Sequence, residues 1–186
     1  MSIHEIQDVE RAFPEIADIQ DSKLRSQVIA CWIDAWHQSQ YTTLDEAIFT
    51  PQIPECRLIT HVRAVTSIAM QIVKVLTQFH QIPVNRDHVL AGALLHDIDK
   101  LFIYEKTMHG YQRAKILNKF PHGYLGARIA HKHGVPNDIE HLILSHTRHQ
   151  LIFPTTIEAI IVHYADFADY DALANSSQRP LLLDKS

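Results

Sequence analysis

Histidines and aspartates stand on the apolar faces of helical segments in this chain, and a fold that buries those faces must bury them too. His61 lies three residues after Leu58 and four before Val65. His122 leads the stripe Leu125, Ile129, and His146 completes Ile139, Leu142, Ile143 at helical spacing. Asp166 continues Ala159 and Val162, while His96 and Asp97 follow the apolar run Val89, Leu90, Ala93, Leu94. An unpaired buried carboxylate costs several kcal/mol, so an inward aspartate wants a cation. Any one of these histidines alone reads as a hydrogen-bonded core residue. Four histidines and two aspartates together read as a set of metal ligands. Of 186 residues, 14 are histidine and 2 are cysteine, so the ligands on offer are imidazole and carboxylate rather than thiolate.

Helical periodicity runs almost throughout, and no hairpin dipeptide sits between alternating apolar residues, which predicts an all-α fold. Leu24, Val28, Ile29, Trp32, Ile33 and Trp36 form one stripe, and Thr43 with Glu46 reads as a capping box opening a further helix. The prolines of TPQIPE, residues 50 to 55, interrupt helix, and the expected division falls there. It gives a helical N-terminal extension over residues 1–52, a main domain over 53–174 and a loosely held tail over 175–186. A long helix ends near Pro83, Asn85 caps the next, and others are expected at about 108 to 119, 122 to 133, 136 to 147 and 156 to 172.

The formal charge of -4 leaves no basic footprint for a nucleic-acid duplex, although a small anion can still meet a local positive site. The first ten residues are acidic and polar, and no stretch of about 18 uninterrupted apolar residues occurs, so no membrane partner and a cytoplasmic location are expected. Cys31 and Cys56 are expected to be reduced thiols. No nucleophile elbow or glycine-rich phosphate loop is present. The apolar helix with Trp32 and Trp36 can pack on the main domain or on a second subunit, so a homodimer stays open.

The ordered set His61, then LLHDIDK with His96, Asp97 and Lys100, then Asp166 in HYADFAD, resembles the HD-domain superfamily of metal-dependent phosphohydrolases. His122 in FPHGYLGA and His146 in LILSHT match the two further histidines of its binuclear branch. The resemblance covers about residues 55 to 172 and implies an HD-domain helical bundle. It further implies two divalent ions, drawn from Fe, Mn, Co, Ni or Zn. His61, His96, Asp97 and Asp166 would hold one, and Asp97, His122 and His146 the other, with Asp97 bridging them. Two such ions against two aspartates and a hydroxide leave the site net positive, which suits a small phosphorylated metabolite or nucleotide. A metal-bridging hydroxide would be the nucleophile. Lys100, one turn beyond His96, is the candidate for steadying a phosphate oxygen, the other reading being a solvated lysine at a helix C-terminus.

Arg113, Lys115, Arg128 and Arg148 lie around the ligand-bearing segments, and Arg128 and Arg148 join Lys100 as candidate substrate contacts. His163, three residues before Asp166, can lie near the site. Asp99 stands where the HDxGK pattern has glycine, and reads as a surface substitution or as a carboxylate at the pocket mouth. The same six ligands also occur in mixed-valent di-iron oxygenases of the superfamily, which is the second functional reading. A metal-stabilised binding module without turnover is the third.

Overall fold

The computed structural model describes residues 2–147 and 152–183. In chain order the elements are α1 (Ile3–Ala12), α2 (Ser22–Gln38), β1 (Ile48–Thr50), β2 (Ile53–Arg57), α3 (Leu58–His80) and α4 (Arg86–Leu95). They continue with α5 (Lys100–Ile103), β3 (Tyr104–Thr107), β4 (Gly110–Arg113), α6 (Tyr124–Lys132), α7 (Asn137–Ser145) and α8 (Ile157–Ser176). Short 3-10 turns lie at Pro14–Asp18, Leu44–Glu46 and Lys115–Asn118. The fold is mostly α, as expected, with two small antiparallel ribbons, β1–β2 and β3–β4.

Local chemistry sets the helix ends. Ser2 and Glu5 form a capping box on α1, the Asp21 carboxylate accepts from the Lys23 and Leu24 N–H groups, and Asn85 and Thr156 cap α4 and α8. Helix α3 ends as Gln81 turns left-handed, two residues ahead of Pro83.

Helix α4 is the axis of the bundle, packing against α2, α3, α7 and α8, so every residue from Val89 to Leu95 is buried. Its Gly92 admits α7 at close range: a Cβ there would lie 2.3 Å from a Leu142 methyl. Because α4 is enclosed, the turn at its C-terminus, which carries His96 and Asp97, is enclosed as well. The first 52 residues contribute Val9, Phe13, Trp32 and Leu44 to the same hydrophobic cluster as Leu90, Leu94 and Ile129. Trp32 is fully buried against Phe13, and its indole N–H donates to the Leu94 carbonyl at 3.1 Å. Removing such a ring costs about 3–5 kcal/mol. Among the described residues α3 alone has the length and hydropathy of a membrane span, and its stripe packs against α4 and α8.

Three local expectations need correction. The segment 108 to 119 is not helical: Tyr104–Arg113 forms a paired ribbon and Lys115–Asn118 a single 3-10 turn. Polar residues take the outward positions there, so the stretch has no stripe to bury. The Thr43 to Glu46 signal produces only the Leu44–Glu46 turn, with no cap from the Thr43 side chain, because the chain enters β1 at Ile48. The helix break expected at TPQIPE takes the form of the β1–β2 ribbon, with Pro51 in its turn and Pro54 in β2. The tail is tied in part, since Leu181 packs beside Phe49 and the Leu182 N–H donates to Asp171 at 2.6 Å. Both cysteines are free and buried, and burial pushes the Cys31 thiol up to about 12.

Candidate metal centre

The six expected ligands come together on five elements of the bundle. His61 lies on α3, His96 and Asp97 follow α4, His122 precedes α6, His146 follows α7 and Asp166 lies on α8. They fall into two groups that share Asp97: His61, His96, Asp97 and Asp166, and Asp97, His122 and His146. In the first, His61 Nε2 stands 3.1 Å from Asp97 Oδ2 and 3.2 Å from Asp166 Oδ1, and His96 Nε2 stands 3.4 Å from Asp97 Oδ2. In the second, His122 Nε2 and His146 Nε2 stand 3.0 and 3.5 Å from the other oxygen, Asp97 Oδ1. The two oxygens of one carboxylate therefore face two different histidine pairs.

The opposite edges of three of the four imidazoles are hydrogen-bonded, and the fourth faces a carboxylate. His61 Nδ1 meets Asp169 Oδ2 at 2.7 Å, and His96 Nδ1 and His146 Nδ1 donate to the Ala93 and Ile143 carbonyls, each at 2.7 Å. His122 Nδ1 lies 2.9 Å from Asp99 Oδ1, a close approach rather than an aligned hydrogen bond. With Nδ1 held in this way, each ring presents Nε2 to the centre, the orientation that metal-binding histidines take from their outer partners. The Nε2 atoms come in pairs, 3.3 Å apart for His61 and His96 and 3.2 Å apart for His122 and His146. Two lone pairs so close repel unless a proton or a metal ion stands between them.

Asp97 supplies a test of that fit. It is 1% exposed, yet neither oxygen receives a well-directed hydrogen bond, although imidazole and ammonium nitrogens crowd both. The Lys100 ammonium pairs with one of the two oxygens only, and the donor set of carboxylate oxygens and imidazoles around them suits divalent ions. Charge acts in the same sense. Burial opposes ionisation of Asp97, but Lys100 and His96 outweigh it and hold the carboxyl well below its usual range. For His61 burial is likewise overcome, by Asp166, Asp169 and Asp97, which push the ring up to about 10. His122 also reaches about 10, against burial, through Asp99 and Asp97, whereas burial lowers His146. The carboxylates thus favour positive charge at His61 and His122, though not at His146.

A cavity of about 360 Å³ opens over the ligands, walled by Phe49, Tyr104, Phe167 and Tyr170, with Lys100 and Arg113 as its basic groups. Phe49 stacks on His61 with ring centroids 3.6 Å apart and also carries the Lys100 ammonium, 3.7 Å from its ring centroid. Lys100 is buried and its Nζ lies 2.5 Å from Asp97 Oδ2, which removes the reading of a solvated lysine. Arg128 is exposed and lines a different cavity of about 680 Å³, between α2, α5 and α6. Arg148 lies outside the described residues. His163 reaches the ligand set through the backbone, its Nδ1 donating to the His146 carbonyl oxygen at 2.8 Å. Asp99, read from sequence as a surface or pocket-mouth residue, is fully buried. Asp169 went unremarked, although its place three residues after Asp166 puts it on the same face of α8.

The HD domain family matches residues 58–171, the span that carries all six ligands. The chain belongs to the HD domain family. A dihydroneopterin 2',3'-cyclic phosphate phosphodiesterase of Methanocaldococcus jannaschii is 32% identical over 171 residues, covering 87% of this chain and 68% of the relative. No solved structure gives a significant match. This HD-domain chain is a metal-dependent hydrolase of phosphoric esters, with histidine and aspartate groups able to hold a metal.

Proposed function

We propose that this HD-domain protein hydrolyses the phosphoester of a small phosphorylated metabolite across a two-ion centre bridged by Asp97. The observation that carries this reading is the division of the Asp97 carboxylate, with Oδ2 towards His61 and His96 and Oδ1 towards His122 and His146. Bound by these two groups, divalent ions would supply an activated water at neutral pH and positive charge for the phosphoryl oxygens.

The remaining work belongs to the chain's own residues. Lys100 places a cation at the cavity floor, where its Nζ can meet a phosphate oxygen while Phe49 holds the side chain from beneath. Arg113, from β4, supplies a second cation at the cavity wall. Phe49, Phe167 and Tyr170 give flat apolar surface for a ring system. The relative's substrate, a pterin bearing a cyclic phosphate, has both features, a flat ring and a strained phosphodiester. A 2',3'-cyclic phosphate on a ring-bearing metabolite is therefore the substrate class proposed.

The test is hydrolysis of a panel of cyclic diesters and monoesters by protein loaded separately with Fe2+, Mn2+, Co2+, Ni2+ or Zn2+. Turnover of a ring-bearing cyclic phosphate is expected with at least one metal. A fully loaded protein inactive on every phosphoester would overturn the reading.

A further inference from the structure

One carboxylate beside the centre has no place in the ligand set. Asp99 is fully buried in the turn after α4, and it faces two groups of the segment that leads into α6. Its Oδ2 accepts the Gly123 N–H at 2.6 Å, and its Oδ1 lies 2.9 Å from His122 Nδ1. Gly123 is left-handed, with φ of +88°, and a Cβ there would stand 2.7 Å from the Ile143 carbonyl oxygen and 3.7 Å from the His146 ring. The Gly123 turn is thus wedged between Asp99 and the end of α7, beside both histidines of the second group. Gly126, just beyond it, lets α6 approach the turn that carries Asp99, since a Cβ there would be 3.0 Å from a methyl of Ile98.

His122 needs such an anchor. The residues before it form a ribbon and a 3-10 turn rather than a packed helix, and its own side chain is 24% exposed. We propose that Asp99 is a positioning residue for the second ion, its carboxylate fixing the His122 ring and the Gly123 turn so that His122 and His146 hold that ion. The proposal rests on the two-ion reading above. It assigns a reason to the one departure of LLHDIDK from the HDxGK pattern: a side chain here reaches across to an otherwise weakly supported ligand.

The experiment is titration of metal-stripped, full-length protein with Mn2+, followed by calorimetry and by elemental analysis of bound ions, for wild type, Asp99→Asn and Asp99→Gly. Asparagine retains an acceptor for the Gly123 N–H and loses the charge facing His122, while glycine loses both. Wild type is expected to bind two ions. Both variants should keep the first with unchanged affinity and bind the second about 10–100-fold more weakly, with occupancy restored at high Mn2+. Should Asp99→Gly fail to fold, Asp99→Asn decides. Two ions in wild type and an unchanged second affinity in the folded variants would overturn the role of Asp99 alone. A single ion in wild type would overturn the two-ion reading and this role with it.

Discussion

The two halves of the centre are built differently. His61, His96 and Asp166 sit on or directly after the long packed helices α3, α4 and α8, and the two histidines of that half are fully buried. His122 and His146 hang instead on a turn before α6 and on the last residue after α7, and His122 reaches the cavity wall. Burial of apolar stripes is enough to fix the first half. In the second half α7 carries His146 inward as α4 carries His96, and it is His122, ahead of α6, that depends on directed contacts from Asp99 and the Gly123 turn. A bundle can thus define most of a two-part site by its core and leave one ligand, His122, to local chemistry.

The largest effect on that contrast comes from Asp97→Ala, which removes the residue that both halves share. Hydrolysis is expected to fall to background and bound metal to drop below one ion per chain by elemental analysis. Retention of both ions would show that the halves are independent. Lys100→Met tests the cavity rather than the ligands. Metal content should be unchanged while kcat falls roughly 10²–10³-fold, the loss typical of one preorganised donor to developing charge.

Asp169→Asn probes the outer support of the first half. His61 keeps its place through burial and its stacking on Phe49, but loses the carboxylate on Nδ1. The first ion should weaken by about 10–100-fold, leaving the second untouched, the mirror of the result expected for Asp99. Gly123→Ala asks how far the second half depends on its turn. Left-handed backbone costs roughly 1–2 kcal/mol for a residue with a Cβ, and the clash with the Ile143 carbonyl adds to it. Thermal unfolding should shift down by about 2–8 °C. His163→Ala is the mildest, removing the Nδ1 partner of the His146 carbonyl at a cost of about 0.5–1.5 kcal/mol. Second-ion affinity should fall by less than tenfold.

The same contrast governs how much could be read from sequence. The ligands were legible because each histidine or aspartate interrupts an apolar stripe, and a stripe is a long-range regularity. The mostly helical fold was legible for the same reason. The β3–β4 ribbon was not, since Tyr104–Arg113 is exposed on its outer positions and carries no period to mark it. Asp99 and Asp169 were missed as partners of His122 and His61 because an orienting carboxylate needs only to be near one nitrogen, and nearness across elements leaves no spacing in the chain. Two local signals did exist: the aspartate in place of glycine at 99, and the pair Asp166 and Asp169 on one face of α8. Arg128 illustrates the reverse error, since proximity in sequence to His122 placed it at the site while the turn of α6 points it to another cavity.

The most direct test of the account is the number of metal ions per chain in full-length protein purified without oxygen or chelator, determined by elemental mass spectrometry. Two ions per chain are predicted, one for each face of Asp97. One ion per chain, unchanged when metal is supplied in excess, would contradict the shared carboxylate and leave His122 and His146 without the role assigned to them.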